Sequence, residues 1–499
     1  MSQLTTALAS IDHVIQSGPF STDWASLATT RVPRWYEDGK FGIFIHWGVY
    51  SVPAFKSEWY PRMMYQQGSA EFTHHVKTYG PHSSFGYKDF IPQFTAEHFN
   101  ATAWAELFRD SGAKFVVPVA EHHDGFPMYD CSFTRWNAVQ MGPKRDIIAE
   151  LSAAVRKEGL VLGLSSHRAE HTWFFDGGLK FPCDVTDPAY ADFYGPTLAG
   201  VTDQHDRVNN PPSKEFLDDW LARTCELVDK YHPQLVWFDW WIVHLAFKPY
   251  LQRFAAYYYN RASEWDRSVA INYKYDAMAV GSAVYDVERA QLQGIDQRFW
   301  QCDTAVAKNS WGYTNAQDYK EPRDLVHDLV DTVAKNGALL LNVGPRADGS
   351  IPEGDTRLLL AIGRWLACNG ESIYGTRPWT VYGEGPASVP PATAGISIAG
   401  LPPVPAGASY DHLRAPFTAA DIRFTTIGEN LYATVLGWPT DGQVLIRSLA
   451  SHLTLRLAPI TEVTLLGYGP VAWRSALDGL HIDMPENQTG EYAWVFKIS

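Results

Sequence analysis

The feature that most constrains the fold is a recurring one: a short apolar run that stops on a polar or ionisable side chain. Leu235-Val236-Trp237-Phe238-Asp239-Trp240-Trp241 shows it most clearly. An uncharged run rich in β-branched and aromatic residues reads as a buried strand of a parallel sheet. A carboxylate at the carboxyl end of such a strand stands where (β/α)8 barrels build their active sites. Taken alone it is equally an Asp capping the next helix. The number of strands that end alike decides between the two.

Six more runs end in the same manner. They are Phe41-Gly42-Ile43-Phe44-Ile45-His46, residues 114–120 leading into Glu121-His122-His123-Asp124, and residues 160–164 leading into Ser165-Ser166-His167. Further on come Val269-Ala270-Ile271-Asn272-Tyr273-Lys274, Arg298-Phe299-Trp300-Gln301-Cys302 and Ala338-Leu339-Leu340-Leu341-Asn342. Helical stretches at 102–111, up to 157, 214–231, 246–265, 321–336 and 354–368 alternate with them. Residues 174–212 form an irregular, Pro- and Asp-rich insert, and Tyr285-Asp286-Val287-Glu288-Arg289 reads as a loop, so an eighth strand is not evident. Strand–helix alternation of this extent is the pattern of a (β/α)8-like (TIM) barrel in the α/β class. It is expected to occupy residues 1–380, followed by a Pro-, Gly- and Ala-rich connector at 381–409. Short alternating runs at 421–426, 430–436, 443–448, 462–466 and 492–498 then predict a C-terminal β-sandwich over 410–499.

A net charge of −14 argues against a nucleic-acid or anionic-membrane partner, because neither gains from phosphate neutralisation. Five scattered cysteines without a CxxC pair suggest neither a disulfide framework nor a thiolate zinc site. The first 20 residues lack a basic segment followed by an apolar one, and no apolar run reaches membrane-spanning length, so a cytoplasmic location is expected. The 19 Trp, 25 Tyr and 25 Phe exceed what a core requires, and aromatic faces suit the C–H face of a pyranose.

Histidines pair at His74-His75 and His122-His123, with His46 on another strand. A metal site on a barrel strand wants His-x-His, so that both rings leave one face. Neither pair has that spacing, so no metal is expected. His46, His122 and His123 read as hydrogen-bonding to sugar hydroxyls, and His74-His75 as surface. Glu58, Asp239 and Glu288 are the carboxylates that the barrel rim brings together, and glycoside hydrolysis needs two. Asp239 on a rigid strand end suits a nucleophile, and Glu288 on a loop suits an acid/base reaching across a sugar. Lys274, a cation at a strand end, fits a structural or a binding role. Asn342, Gly344-Pro345 and Lys144-Arg145-Asp146 read as structural.

In chain order, Trp35-Tyr36, Phe41 to Gly48, Glu58-Trp59-Tyr60, Glu121-His122-His123-Asp124-Gly125-Phe126, Lys144-Arg145-Asp146, Trp237-Phe238-Asp239, Ser310-Trp311-Gly312-Tyr313, Leu341-Asn342-Val343-Gly344-Pro345 and Asn369-Gly370-Glu371-Ser372-Ile373-Tyr374 resemble family 29 glycoside hydrolases, the α-L-fucosidases. The resemblance covers residues 33–380 and implies a retaining exo-hydrolase of terminal α-linked L-fucose, with no metal or other cofactor. It implies Asp239 as nucleophile and, as the nearest match for the acid/base, Glu288. It places His46, Glu58, Trp59, His122, His123 and Trp237 around the fucose, with a fucosylated oligosaccharide or glycoside as substrate and a homo-oligomer as the assembly. Three departures stand out: Ser165-Ser166 where a tyrosine pair is usual, Lys274 where arginine is common in the binding set, and Gln301 where glutamate often follows Trp300. A double displacement requires the two carboxyl groups to lie about 5–5.5 Å apart. The alternatives are a metal-dependent barrel hydrolase and a non-catalytic fucose-binding protein.

Overall fold

The structure is a computed structural model that describes residues 2–198, 206–387, 415–456 and 458–499. Eight parallel strands close into a barrel in sequence order: β1 (Phe41–Ile45), β2 (Phe115–Glu121), β3 (Val161–Ser166), β4 (Leu235–Phe238), β5 (Ala270–Tyr273), β6 (Val284–Glu288), β7 (Trp300–Ala305) and β8 (Gly337–Val343). β8 returns to β1 with Asn342 beside Phe44, which closes the ring. After a lead helix, α1 (Gln3–Ser17), the crossovers carry α2 (Ala101–Asp110), α3 (Ile147–Lys157), α4 (Lys214–Tyr231), α5 (Lys248–Glu264) and α6 (Pro322–Ala334), and α7 (Glu353–Asn369) follows β8. Asn100, Asp146 and Ser213 each accept a backbone N–H from the first turn of α2, α3 and α4, so the sequence itself fixes where these helices start.

The eighth strand is β6, within the segment read from sequence as a loop. Two crossovers explain the misreading. Residues 274–283 and 289–299 join β5 to β6 and β6 to β7 without a regular helix, so the alternation that reveals a parallel strand is missing on both sides. β6 also carries Tyr285, Asp286 and Glu288 among its five residues, which hides its apolar signal.

Strand residues alternate between two apolar clusters, as period two requires. Phe44, Val117, Val119, Leu235, Trp237, Ala270, Val284 and Leu340 fill the barrel interior above Tyr36, Phe115 and Phe299. Ile43, Val116, Leu162, Val236, Phe238, Ile271 and Leu341 face the helices. Each such side chain contributes about 1.5–3 kcal/mol on full burial. The β5–β7 sector departs from this rule: its buried positions include Asn272, Asp286, Gln301 and Asp303.

The C-terminal domain is a sandwich of β9 (Arg377–Glu384), β10 (Ile422–Ile427), β11 (Asn430–Val435), β12 (Gln443–Ile446), β13 (Val463–Leu465), β14 (Gly469–Pro470), β15 (Trp473–Ala476), β16 (Gly479–Asp483) and β17 (Trp494–Ile498). One sheet runs β14-β13-β17-β11-β10-β9 and the other β12-β16-β15. Phe424, Val435 and Phe496 of the first meet Ile446, Leu480 and Ile482 of the second in one core. β9 belongs to this sheet although it crosses the boundary drawn at 380. Of the connector at 381–409, residues 388–409 lie outside the described residues, as do 199–205 of the insert. Arg423 of β10 reaches α6, where it pairs with buried Asp331, whose other partner is Lys335 at 2.6 Å. Among the described residues no helix is long and apolar enough to cross a membrane.

Candidate active site

The barrel brings the polar strand ends to one rim. After β1, the His46 backbone N–H and its Nδ1 both reach Asn342 Oδ1, at 3.0 and 2.7 Å. An acceptor at that place fixes the Nδ1–H tautomer and leaves Nε2 free. Asn342 Nδ2 donates to the Trp311 carbonyl at 2.7 Å, so a residue read as structural orients a histidine of the site. His122 and His123 follow β2. Adjacent residues of a strand would point apart, but β2 ends at Glu121 and the two histidines leave a turn closed by Gly125 N–H to His122 O, with their rings 4.2 Å apart. His167, after β3, was not singled out from sequence. Its Nδ1 lies 3.2 Å from Asp239 Oδ2 and its Nε2 3.1 Å from Ser165 Oγ.

Burial is the leading cause that pushes His46 and His122 well below the ordinary imidazole range, with neighbouring histidines adding to it. Burial also takes His167 down to about 4 in spite of Asp239. Three neutral rings thus stand together on three strands. Their nitrogens lie within 4.8 Å of one another, so His46, His122 and His167 could hold a metal ion, as could His123, His167 and Asp239. The three rings follow three different strands, so the His-x-His spacing of a single strand does not reveal them.

Asp239 closes β4. Its Oδ1 accepts the Trp240 N–H at 2.8 Å and faces Lys274 Nζ at 3.5 Å; its Oδ2 faces His123 Nε2 at 3.4 Å as well as His167. Burial alone would raise this carboxyl, but Lys274 and then His167 and His123 more than offset it and hold Asp239 well below the usual carboxylate range. His123 behaves in the opposite sense to its neighbours. Burial would lower it, yet buried Glu170, 3.3 Å away, and then Asp239 outweigh that and raise it. Glu170 is held in turn by the Trp241 N–H at 2.9 Å.

Lys274 is the centre of the other side. From the end of β5 its buried Nζ lies 2.6 Å from Glu288 Oε2, 3.5 Å from Asp239 Oδ1 and 3.6 Å from Asp303 Oδ2, and 4.8 Å from the centre of the Trp237 ring. Burial would lower its pKa, but Asp303, Glu288 and Asp239 together hold it well above the ordinary lysine value. Glu288 ends β6, not a loop, and is anchored by that strand. Glu58 Oε2 accepts from Ser310 Oγ, Trp311 N–H and Gly312 N–H at 3.1, 2.9 and 3.1 Å. Gly344 permits that loop to sit so close, since a Cβ there would lie 2.7 Å from Tyr313 N.

His46, Glu58, Trp59, His122, His123, Trp237, Asp239, Lys274 and Glu288, chosen from sequence, all line one narrow cavity. His167, Trp240, Asp303 and Trp311 line it too, and sequence reasoning left them out. Each left a signal: His167 and Trp240 adjoin strand ends already identified, Asp303 lies one residue beyond the 298–302 run, and Trp311 sits in a motif already noted. His75 departs from its surface reading. It is buried, with Nδ1 3.1 Å from Tyr60 Oη and Nε2 2.8 Å from the Phe85 carbonyl, because it faces inward from the helix Ala70–Tyr79.

An ionised carboxylate, a second carboxyl nearby, neutral imidazoles and indole walls in a buried cavity can bind a sugar and act at its acetal carbon. The comparisons with known proteins agree. Residues 7–371 match the family model described as alpha-L-fucosidase, and residues 415–499 that of the alpha-L-fucosidase C-terminal domain. The tissue alpha-L-fucosidase of Rattus norvegicus is 31% identical over 96% of this chain and 92% of its own length. The plasma alpha-L-fucosidase of Homo sapiens is 32% identical over 94% and 89%. Among solved structures, Thermotoga maritima alpha-fucosidase is similar with a TM-score of 0.75 at 29% identity, covering 96% of this chain and 100% of that one. The same protein in complex with fucose gives 0.73 at 29% identity, with the same coverage of both chains.

Proposed function

The chain belongs to the α-L-fucosidase family of glycoside hydrolases, and on that premise we propose that it removes terminal α-L-fucosyl residues by a retaining double displacement. Asp239 attacks the anomeric carbon as Glu288 passes its proton to the leaving glycosidic oxygen. The C–O bond to the aglycone breaks and a fucosyl ester forms on Asp239. Water then attacks the anomeric carbon, giving its proton to Glu288, and the ester bond breaks to release fucose and the Asp239 carboxylate.

One observation carries the retaining assignment. Lys274 Nζ touches Glu288 Oε2 at 2.6 Å and Asp239 Oδ1 at 3.5 Å, so those two oxygens are at most about 6 Å apart, and one ammonium bridging both carboxyl groups favours the ~5–5.5 Å spacing of a retaining pair over the ~6.5–9.5 Å of an inverting one. Lys274 also fits the chemistry step by step. Esterification removes the negative charge of Asp239 and leaves the ammonium to stabilise the Glu288 carboxylate that has just lost its proton. Neutral His46 and His122, with Glu58, Trp59 and Trp237, hold the hydroxyls and the ring of the sugar. Proton NMR of the first-formed product from 4-nitrophenyl α-L-fucoside tests the reading: α-L-fucose is expected before mutarotation, and initial β-L-fucose would overturn it.

A further inference from the structure

Barrel interiors are ordinarily filled by branched apolar side chains, yet beneath Lys274 this one holds two acids. Asp286 and Glu288 share the inward face of β6, and Asp303 lies on β7 in register with Glu288. Asp286 and Asp303 are near enough for their side chains to share a hydrogen bond. Asp286 Oδ1 accepts from Gln301 Nε2 at 2.6 Å, Gln301 Oε1 accepts from Tyr36 Oη, and Asp303 Oδ2 faces Lys274 at 3.6 Å. That leaves Asp286 Oδ2 and Asp303 Oδ1, both fully buried and neither with any donor. Two buried carboxylate oxygens without donors carry a large desolvation cost. A single proton between the two acids satisfies both at once.

We propose that Asp286 and Asp303 share one proton and act as a positioning pair with a single negative charge, which keeps Lys274 poised between the nucleophile and the acid/base. The inference rests on the double displacement proposed above. The groups facing the pair are Lys274 from β5, Glu288 from β6 and Tyr36 from below, with Asp239 beyond Lys274, while the Cys302 thiol stands on the opposite, helix-facing side of β7. Burial and the neighbouring acid raise Asp303 well above the usual carboxylate range, and burial raises Asp286, which agrees with one retained proton. Were both acids ionised, Lys274 would be drawn downward, away from the cavity. Were both neutral, its whole charge would fall on Asp239 and Glu288.

The test compares Asp286→Asn, Asp303→Asn and the double variant. Either single amide supplies an N–H where the shared proton stood and keeps one negative charge. Each is expected to lose up to about fivefold in kcat/KM and to leave the alkaline limb of its pH profile in place. The double variant loses the charge, and its alkaline limb moves down by about one pH unit, the size expected for a charge removed at this range. The infrared C=O band of a buried protonated carboxyl at pH 8 gives a readout free of activity: present in wild type, absent from both single variants. A limb that moves as far in the single variants as in the double one overturns the proposal, as does a wild type without the band. The band also keeps the pair testable if the double variant does not fold. Failure of Asp239 as nucleophile would leave the band in place, so the two readings fail separately.

Discussion

The two halves of the rim are built on opposite electrostatic principles. On β1–β3, His46, His122 and His167 are stripped of charge by burial, and His46 meets the Asn342 amide while His167 meets the Ser165 hydroxyl and the Asp239 carboxylate. On β4–β7, Asp239, Glu288 and Asp303 converge on one buried ammonium and stay organised because that charge is there. The neutral imidazoles of the first half, which offer hydrogen bonds without charge, suit the hydroxyls of a sugar, whose charge does not change in the reaction. A charged half suits the carbon and oxygen where charge develops, because fixed charges in a dry site act strongly there. Neutral imidazoles and fixed charges are thus divided between the two sets of strands.

The division predicts which kinetic constant each substitution moves. Lys274→Met removes the shared cation and leaves several acids uncompensated: kcat is expected to fall about 100-fold or more, with about 3–5 kcal/mol of stability lost from the broken buried pairs. A variant with near-normal kcat would show that the charged half does not depend on its cation. Glu288→Ala is expected to lose about 100-fold on alkyl fucosides but under about tenfold on aryl fucosides with good leaving groups, which need little protonation. Equal losses on both substrates would count against the acid role. His46→Ala is expected to raise KM about tenfold with a smaller change in kcat, and Asn342→Ala to follow the same pattern more weakly, because it acts through the His46 tautomer. A larger effect on kcat than on KM for both would erase the contrast between the halves.

The pH dependence of stability sets buried histidines against buried acids. His75 and His167 are depressed to about 4 and His171 to about 3. Below the ordinary imidazole pKa of about 6.5 the unfolded chain takes up protons that the folded chain refuses, so this contribution is full above that pH and falls toward about 4. Asp124 and Asp355, raised to about 6 by burial, work the other way and favour the folded state on acidification. Calorimetry from pH 7 to pH 5 is expected to show a falling Tm, since the histidines outnumber these acids; a rising Tm would show that the acids dominate. The smallest effect concerns metal. Exhaustive chelation is expected to leave turnover unchanged, and its loss would make His46, His122 and His167 a metal centre.

The same two halves differ in how far they could be read in advance. Where a helix follows every strand, from β1 to β4, the strand ends announced themselves, and His46, His122, His123 and Asp239 were all placed. Where crossovers carry no helix, β6 passed as a loop, so Glu288 reads from sequence as a rim carboxylate on a loop and not as a strand end. Asp303 and Asp286 went unread because an acid inside a barrel contradicts the apolar pattern used to find strands, and only the fold shows that Lys274 stands above them. His167 was lost differently. One side chain past a strand end carries no mark of the Asp239 carboxylate, which comes 72 residues later. His75 reads as surface from a polar helical stretch, because nothing local reveals Tyr60 and the Phe85 carbonyl.

The most direct test is Asp239→Gly assayed on 4-nitrophenyl α-L-fucoside with and without azide. With the Asp239 carboxylate as nucleophile, the variant loses about 1,000-fold or more in kcat while keeping its fold, and azide restores nitrophenol release with β-L-fucosyl azide as the product. Activity within tenfold of wild type, or rescue yielding the α-azide, would contradict it.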